Sequence, residues 1–116
     1  MRILLAEDES TISRLIKTVL ASSGHEVVGV RTIGEAHTAL DEGPFDLVLL
    51  DRNLADGDGT RLIEHIQRHA EKPPVVLMTG DRAFAHEEDV ATRVQGMLWK
   101  PFELDELERL VKRFSA

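Results

Sequence analysis

The chain has 116 residues, 42% hydrophobic and 30% charged, with a net charge of -7 and no cysteine. Those figures fit one globular domain, long enough to bury roughly two-thirds of its unfolded surface in a core of its own. The acidic balance argues against nucleic acid, which is held through basic patches, and the missing cysteines exclude disulfides, thiolate zinc sites and thiol nucleophiles.

The apolar run at the N-terminus is too short for a secretory signal, and no run approaches the ~20 apolar residues that span a bilayer. The expectation is a cytoplasmic protein that binds neither membrane nor nucleic acid. Ile3, Leu4, Leu5 and Ala6 form a buried-strand run. Ile12, Leu15, Ile16, Val19 and Leu20 then recur at helical spacing, and Ser22, Ser23 and Gly24 end that helix. Val27, Val28, Gly29 and Val30 predict a second strand. Thr32 with Glu35 three residues on is a capping-box pattern opening a helix through Ala36, Ala39 and Leu40. Gly43 and Pro44 break it.

Residues 45–50 predict the third strand, followed by a polar loop in which Asn53, Leu54 and Ala55 form no strand. A helix with Leu62, Ile63 and Ile66 comes next, stopped by Pro73 and Pro74. Residues 75–78 predict the fourth strand, 87–94 a weaker helix, and 97–99 a short fifth strand. Leu104, Leu107, Leu110, Val111 and Phe114 mark a last amphipathic helix. Strand and helix alternate five times, so the expected fold is α/β with a doubly wound parallel sheet; the flavodoxin-like (βα)5 order 2-1-3-4-5 would make strands one and three neighbours. One domain over 1–116 is expected, with no output domain visible.

In such a sheet the functional crevice lies beyond the carboxyl ends of the strands. Glu7 and Asp8 follow the first strand, Asp51 the third, Thr79 and Gly80 the fourth, and Lys100 and Pro101 the fifth. Three carboxylates, a hydroxyl and an ammonium thus meet at one edge. Close carboxylates need a cation among them. Oxygen ligands with open water positions suit Mg²⁺. That set serves a phosphoryl group, and a central carboxylate can be the nucleophile.

This pattern resembles the receiver domain of two-component response regulators over essentially the whole chain. The matching pieces are Glu7-Asp8, Asp51, Gly59 eight residues later, Thr79-Gly80 and Lys100-Pro101-Phe102. The resemblance implies that Asp51 accepts a phosphoryl group from a sensor histidine kinase or histidine phosphotransfer protein. It implies Mg²⁺ ligation by Asp8 and Asp51, by the Asn53 carbonyl, and by Glu7 mainly through water. Lys100 would pair with phosphoryl oxygens. Thr79 would donate its hydroxyl and move the neighbouring loop, Gly80 would leave room for the donor, and the Lys100-Pro101 bond is often cis. Asn53 and Asp81 would tune hydrolysis to a lifetime of seconds to minutes. Such a domain is not an enzyme toward a separate substrate; it catalyses only its own phosphorylation and dephosphorylation. It signals to a downstream protein target, and the surface of the last two helices and fifth strand is a possible homodimer face.

Two departures stand out: Ala55 where the family usually has Pro, and Met97 where it carries an aromatic, with Trp99 two residues on. Asp56-Gly57-Asp58-Gly59-Thr60 also matches the nucleophile motif of haloacid-dehalogenase-type phosphatases. A small Mg-dependent phosphatase using Asp56 therefore stays open, as does a receiver that docks without phosphorylation. Simpler chemistry makes the same stretch a turn, with Asp58 capping the next helix. An EF-hand starting at Asp51 fails, because Ala55 and Leu62 stand where ligands are needed. His65 and His69 share a helix face at i, i+4, a spacing that can bind metal but is more often solvated.

Overall fold

The apolar run after Met1 forms β1 (Arg2–Ala6) in the computed structural model, which describes residues 1–69, 71–80, 90 and 92–115. In chain order follow α1 (Ser10–Ser22), β2 (Glu26–Val30), α2 (Ile33–Glu42) and β3 (Leu47–Asp51). Then come β4 (Asn53–Leu54), β5 (Gly57–Asp58), α3 (Arg61–Gln67), β6 (Val75–Thr79), β7 (Gly96–Trp99) and α4 (Leu104–Phe114). Of the helix predicted over 87–94, residues 87–89 and 91 lie outside the described residues.

The main sheet is parallel throughout and ordered β2-β1-β3-β6-β7. Without the two-residue strands β4 and β5, that is the predicted 2-1-3-4-5. Alternate strand residues feed two cores, because side chains on a strand point to opposite faces in turn. Leu4, Ala6, Val48, Leu50 and Leu77 pack with Ala36 and Leu40 of α2 and Leu62, Ile63 and Ile66 of α3. Ile3, Leu5, Leu47, Leu49, Val76, Met78 and Leu98 pack with Ile16 and Leu20 of α1 and with Leu107, Leu110 and Val111 of α4. Each fully buried Leu or Ile contributes ~1.5–3 kcal/mol. β3 is buried at all five positions, as the central strand of a sheet covered on both sides. No helix among the described residues is long and apolar enough to cross a membrane.

Helix starts are set by side-chain acceptors for the free amides of the first turn. The Glu9 carboxylate takes the amides of Thr11 and Ile12 at 3.1 and 3.0 Å. The Thr32 hydroxyl takes the Glu35 amide at 3.0 Å, the first half of the predicted capping box. Leu15, expected on the buried face of α1, is instead 48% exposed. That helix packs on the sheet along a narrower stripe centred on Ile16 and Leu20.

The predicted polar loop after β3 has more order than expected. Asn53 and Leu54 pair antiparallel with Asp58 and Gly57. Two features explain the tight return: Gly57 sits at φ +145°, open to glycine, and Leu54 is drawn into the core. Asp58 does not cap α3. Its Oδ1 accepts from the amide and hydroxyl of Thr60, at 3.0 and 2.8 Å, and so closes the turn ahead of the helix.

Candidate functional site

β1 and β3 are neighbours, and β6 and β7 continue the sheet, so four strand ends share one rim. Register sets the heights: Ala6 stands beside Leu50, Asp51 beside Met78, and Thr79 beside Trp99. The Glu7 amide, just past β1, still donates to the Val30 carbonyl of β2 at 3.0 Å. The Lys100 amide, just past β7, donates to the Thr79 carbonyl at 2.9 Å. The backbone ladder thereby holds each functional residue on its strand to the rim.

The Lys100 Nζ lies 2.9 Å from Glu7 Oε1 and 2.8 Å from Asp51 Oδ2. Both carboxylates are removed from water: Glu7 is 0% exposed and Asp51 3%, while Thr79 is 1%. The second oxygen of Asp51, Oδ1, accepts the Asn53 amide at 3.1 Å. Asp8, half-buried, completes a group whose carboxylate oxygens lie within 4.8 Å of one another.

One ammonium bridges two of the three carboxylates, and the electrostatics register the deficit. Burial pushes the Glu7 carboxyl up to about 8, helped by its hydrogen bond to Asp51 and the charge there, and only partly opposed by Lys100. Burial pulls Lys100 down, but hydrogen bonds to Asp51 and Glu7 outweigh it and leave the ammonium above its ordinary value. Glu7 Oε2 is buried with no hydrogen-bond partner. An orphaned carboxylate oxygen beside two more carboxylates fits a hard divalent cation ligated by oxygen.

Gly59 was recognisable in the sequence only by its spacing from Asp51; the fold supplies the reason. Its amide donates to the Arg52 carbonyl at 2.5 Å, and a Cβ there would collide with the Asp51 carbonyl oxygen. Gly80 is exposed, and among the described residues a Cβ would meet the Lys100 backbone oxygen at 3.7 Å and its Cβ at 3.8 Å, ordinary contacts. Met97 is half-buried against the α2–α3 core. By strand alternation it shares its face of β7 with half-buried Trp99. The Lys100–Pro101 peptide is cis. Asp81 lies outside the described residues.

Asp56 has a different task from Asp51. Its two oxygens accept the amides of Ile33 and Gly34, at 2.7 and 3.2 Å. The hairpin turn is thus tied to the free first-turn amides of α2, beside the Thr32 cap. These bonds, the Ile33 one foremost, hold the Asp56 carboxyl below its ordinary value. Such a cross-chain cap leaves no trace in local sequence, because its partners are 22 and 23 residues away.

The family model for the response regulator receiver domain matches residues 3–112. Swarming motility regulation protein RssB of Serratia marcescens is 34% identical over 113 residues, covering 97% of this chain and 52% of its own. Response regulator protein PmrA of Pseudomonas aeruginosa is 34% identical over 122 residues, covering 99% and 52%. The chain therefore spans about half the length of these curated relatives. Among solved structures, response regulator protein TrrA of Thermotoga maritima, in complex with Mg²⁺ and beryllofluoride, matches with a TM-score of 0.87 at 26% identity, covering 97% of each chain.

Proposed function

The chain belongs to the response regulator receiver domains of two-component signal transduction, and we propose that within it Asp51 is the phosphoacceptor, Thr79 and Lys100 its partners. The observation that carries this reading is the Lys100 ammonium held between Asp51 and Glu7 at the buried rim. Asp51 ends a fully buried strand and keeps one oxygen on the Asn53 amide. Its other oxygen faces Lys100 and is the one positioned to attack a phosphorus atom. The P–N bond of a donor phosphohistidine breaks as the Asp51 O–P bond forms.

Glu7, Asp8, Asp51 and the Asn53 carbonyl would hold Mg²⁺, which neutralises charge on the phosphoryl oxygens when bound. Lys100 then shifts from carboxylate to phosphoryl oxygen. The Thr79 hydroxyl donates to another, drawing on the segment that begins at Gly80. Trp99, beside Thr79 in the sheet, and Met97, two residues earlier on the same face of β7, carry that movement outward in place of the family's usual aromatic. The donor is a histidine kinase or phosphotransfer protein. The groove of Ile12, Leu15, Pro101, Phe102 and Leu104 beside Lys100 offers it an apolar seat. A downstream protein, or a second copy of the chain, engages the face that carries α4 and β7.

Beryllofluoride with Mg²⁺, which imitates the bound phosphoryl group, tests this. NMR shifts are expected to centre on Thr79, Gly80, Trp99 and Lys100, with sedimentation reporting any dimer. Shifts centred on Asp56, or none at all, would sink the assignment.

The raised Glu7 carboxyl makes a further prediction. Below about 8 Glu7 holds a proton that an incoming cation must displace. Apparent Mg²⁺ affinity should therefore weaken, up to ~10-fold per pH unit, as pH falls below that value. Glu7→Gln removes the slope. The sign for folding is opposite. A carboxyl raised from 4.5 to about 8 favours the folded state at low pH, and that contribution is lost as pH climbs through the window between the two values. The metal-free protein should melt lower near pH ~9 than near pH ~6, and Glu7→Gln should flatten the difference. Calorimetry across pH, with chelator and with Mg²⁺, checks both.

A further inference from the structure

The opposite end of the molecule holds a second group of metal-competent side chains. Helices α2 and α3 cover one face of the sheet, and their carboxyl ends lie by the edge where β3 and β6 begin. Asp41 belongs to the last turn of α2, His65 to α3, and His69 to the turn that continues α3. His65 Nε2 is 3.2 Å from Asp41 Oδ1, His69 Nε2 is 3.4 Å from the same oxygen, and the two Nε2 atoms are 3.3 Å apart. We propose that Asp41, His65 and His69 form a tetrahedral Zn²⁺ site on this flank, with water in the fourth position.

The triangle has the right size. A tetrahedral zinc with bonds of ~2.0–2.1 Å spaces its ligand atoms ~3.3 Å apart, and all three edges here match. Hydrogen bonding alone does not account for it. A neutral imidazole Nε2 either donates one proton or presents a lone pair. If both rings donate to Asp41 Oδ1, the 3.3 Å edge between the two nitrogens carries no hydrogen bond; if one turns its lone pair inward, that lone pair faces the carboxylate. A cation at the centre satisfies all three edges at once. Two imidazoles and one carboxylate with an open position suit zinc better than magnesium.

The surroundings agree. The ring of His37, one turn before Asp41, packs against His65 with centroids 3.9 Å apart and the planes tilted by 39°. Two helix carboxyl ends converge here, and their dipoles favour positive charge. The side chains of His65, His69 and Asp41 are 20%, 30% and 61% exposed, so an ion can enter. Asp41 and His69 also border a groove of about 280 Å³ shared with Glu71, which leaves room for water. An ion there would clamp α2 to α3, independently of the carboxylates at the other rim.

Competition between the untagged protein and a chromophoric chelator for Zn²⁺ tests the site. Wild type and Asp51→Asn should each take up one ion with equal affinity. His65→Gln, His69→Gln and Asp41→Asn should each bind at least ~10-fold more weakly. Asp41 is exposed, so its variant keeps the fold even if a histidine variant loses it; circular dichroism checks each. No uptake by wild type, or uptake that survives Asp41→Asn and His69→Gln, overturns the proposal. Uptake lost in Asp51→Asn does too, because it would place zinc at the other rim.

Discussion

Asp51→Asn is expected to abolish covalent labelling by acetyl phosphate in the presence of Mg²⁺, whereas Asp56→Asn is expected to leave it. The amide cannot form an acyl phosphate, so the loss should be complete rather than partial. Glu7 cannot take over, because it has one oxygen on Lys100 and the other buried without access to solvent. Asp56 is occupied with the amides of Ile33 and Gly34. Its replacement should lower the melting temperature by weakening the start of α2 while leaving the phosphoryl chemistry intact. Intact-mass spectrometry of the three proteins decides among the readings. Label lost only with Asp56 would restore the phosphatase. A wild type that never labels would leave a receiver that acts by docking alone.

Lys100→Met should produce the second large effect, on stability and rate together. Methionine keeps most of the aliphatic stem and removes the ammonium. Glu7 and Asp51 are then left in contact with no positive charge between them. Stranding buried carboxylates this way costs several kcal/mol when burial is complete. With the Lys100 side chain 25% exposed, about 2 kcal/mol is the expected loss in chelator. The loss should deepen as pH rises, because Glu7 loses the one influence that lowers its carboxyl. Mg²⁺ should restore much of it by supplying charge to the same oxygens. Labelling by acetyl phosphate should slow ~10²-fold, the scale on which a single preorganised charge acts on a transition state. Denaturant melts with and without Mg²⁺, alongside labelling kinetics, measure both. A variant as stable as wild type in chelator would show that Glu7 and Asp51 do not depend on Lys100.

Much of this was legible in the linear chain because its signals are local. Five apolar runs separated by helical periodicities pointed to the parallel sheet, and α4 spans the predicted stretch from Leu104 to Phe114. Glu7, Asp8, Asp51, Thr79 and Lys100 could be nominated because each stands at the end of a strand. Local pattern failed where a long-range partner decided the outcome. Leu15 fits its helical stripe, yet is exposed, since the width of the contact with the sheet is a property of packing. Asn53 and Leu54 look like loop, but the buried Leu54 and the glycine at 57 pull them into a hairpin.

Local pattern set the alternation of elements, the two apolar faces of the sheet and the kinds of chemical groups carried at its strand ends. Long-range packing set the rest: one ammonium bridges Glu7 and Asp51, the Asp56 carboxylate takes two amides at the start of α2, and two histidines close a triangle with Asp41. The reason is physical. Periodicity specifies which way a side chain points, whereas contact between residues 49 or 93 positions apart depends on strand order, register and helix packing, which the whole core settles together.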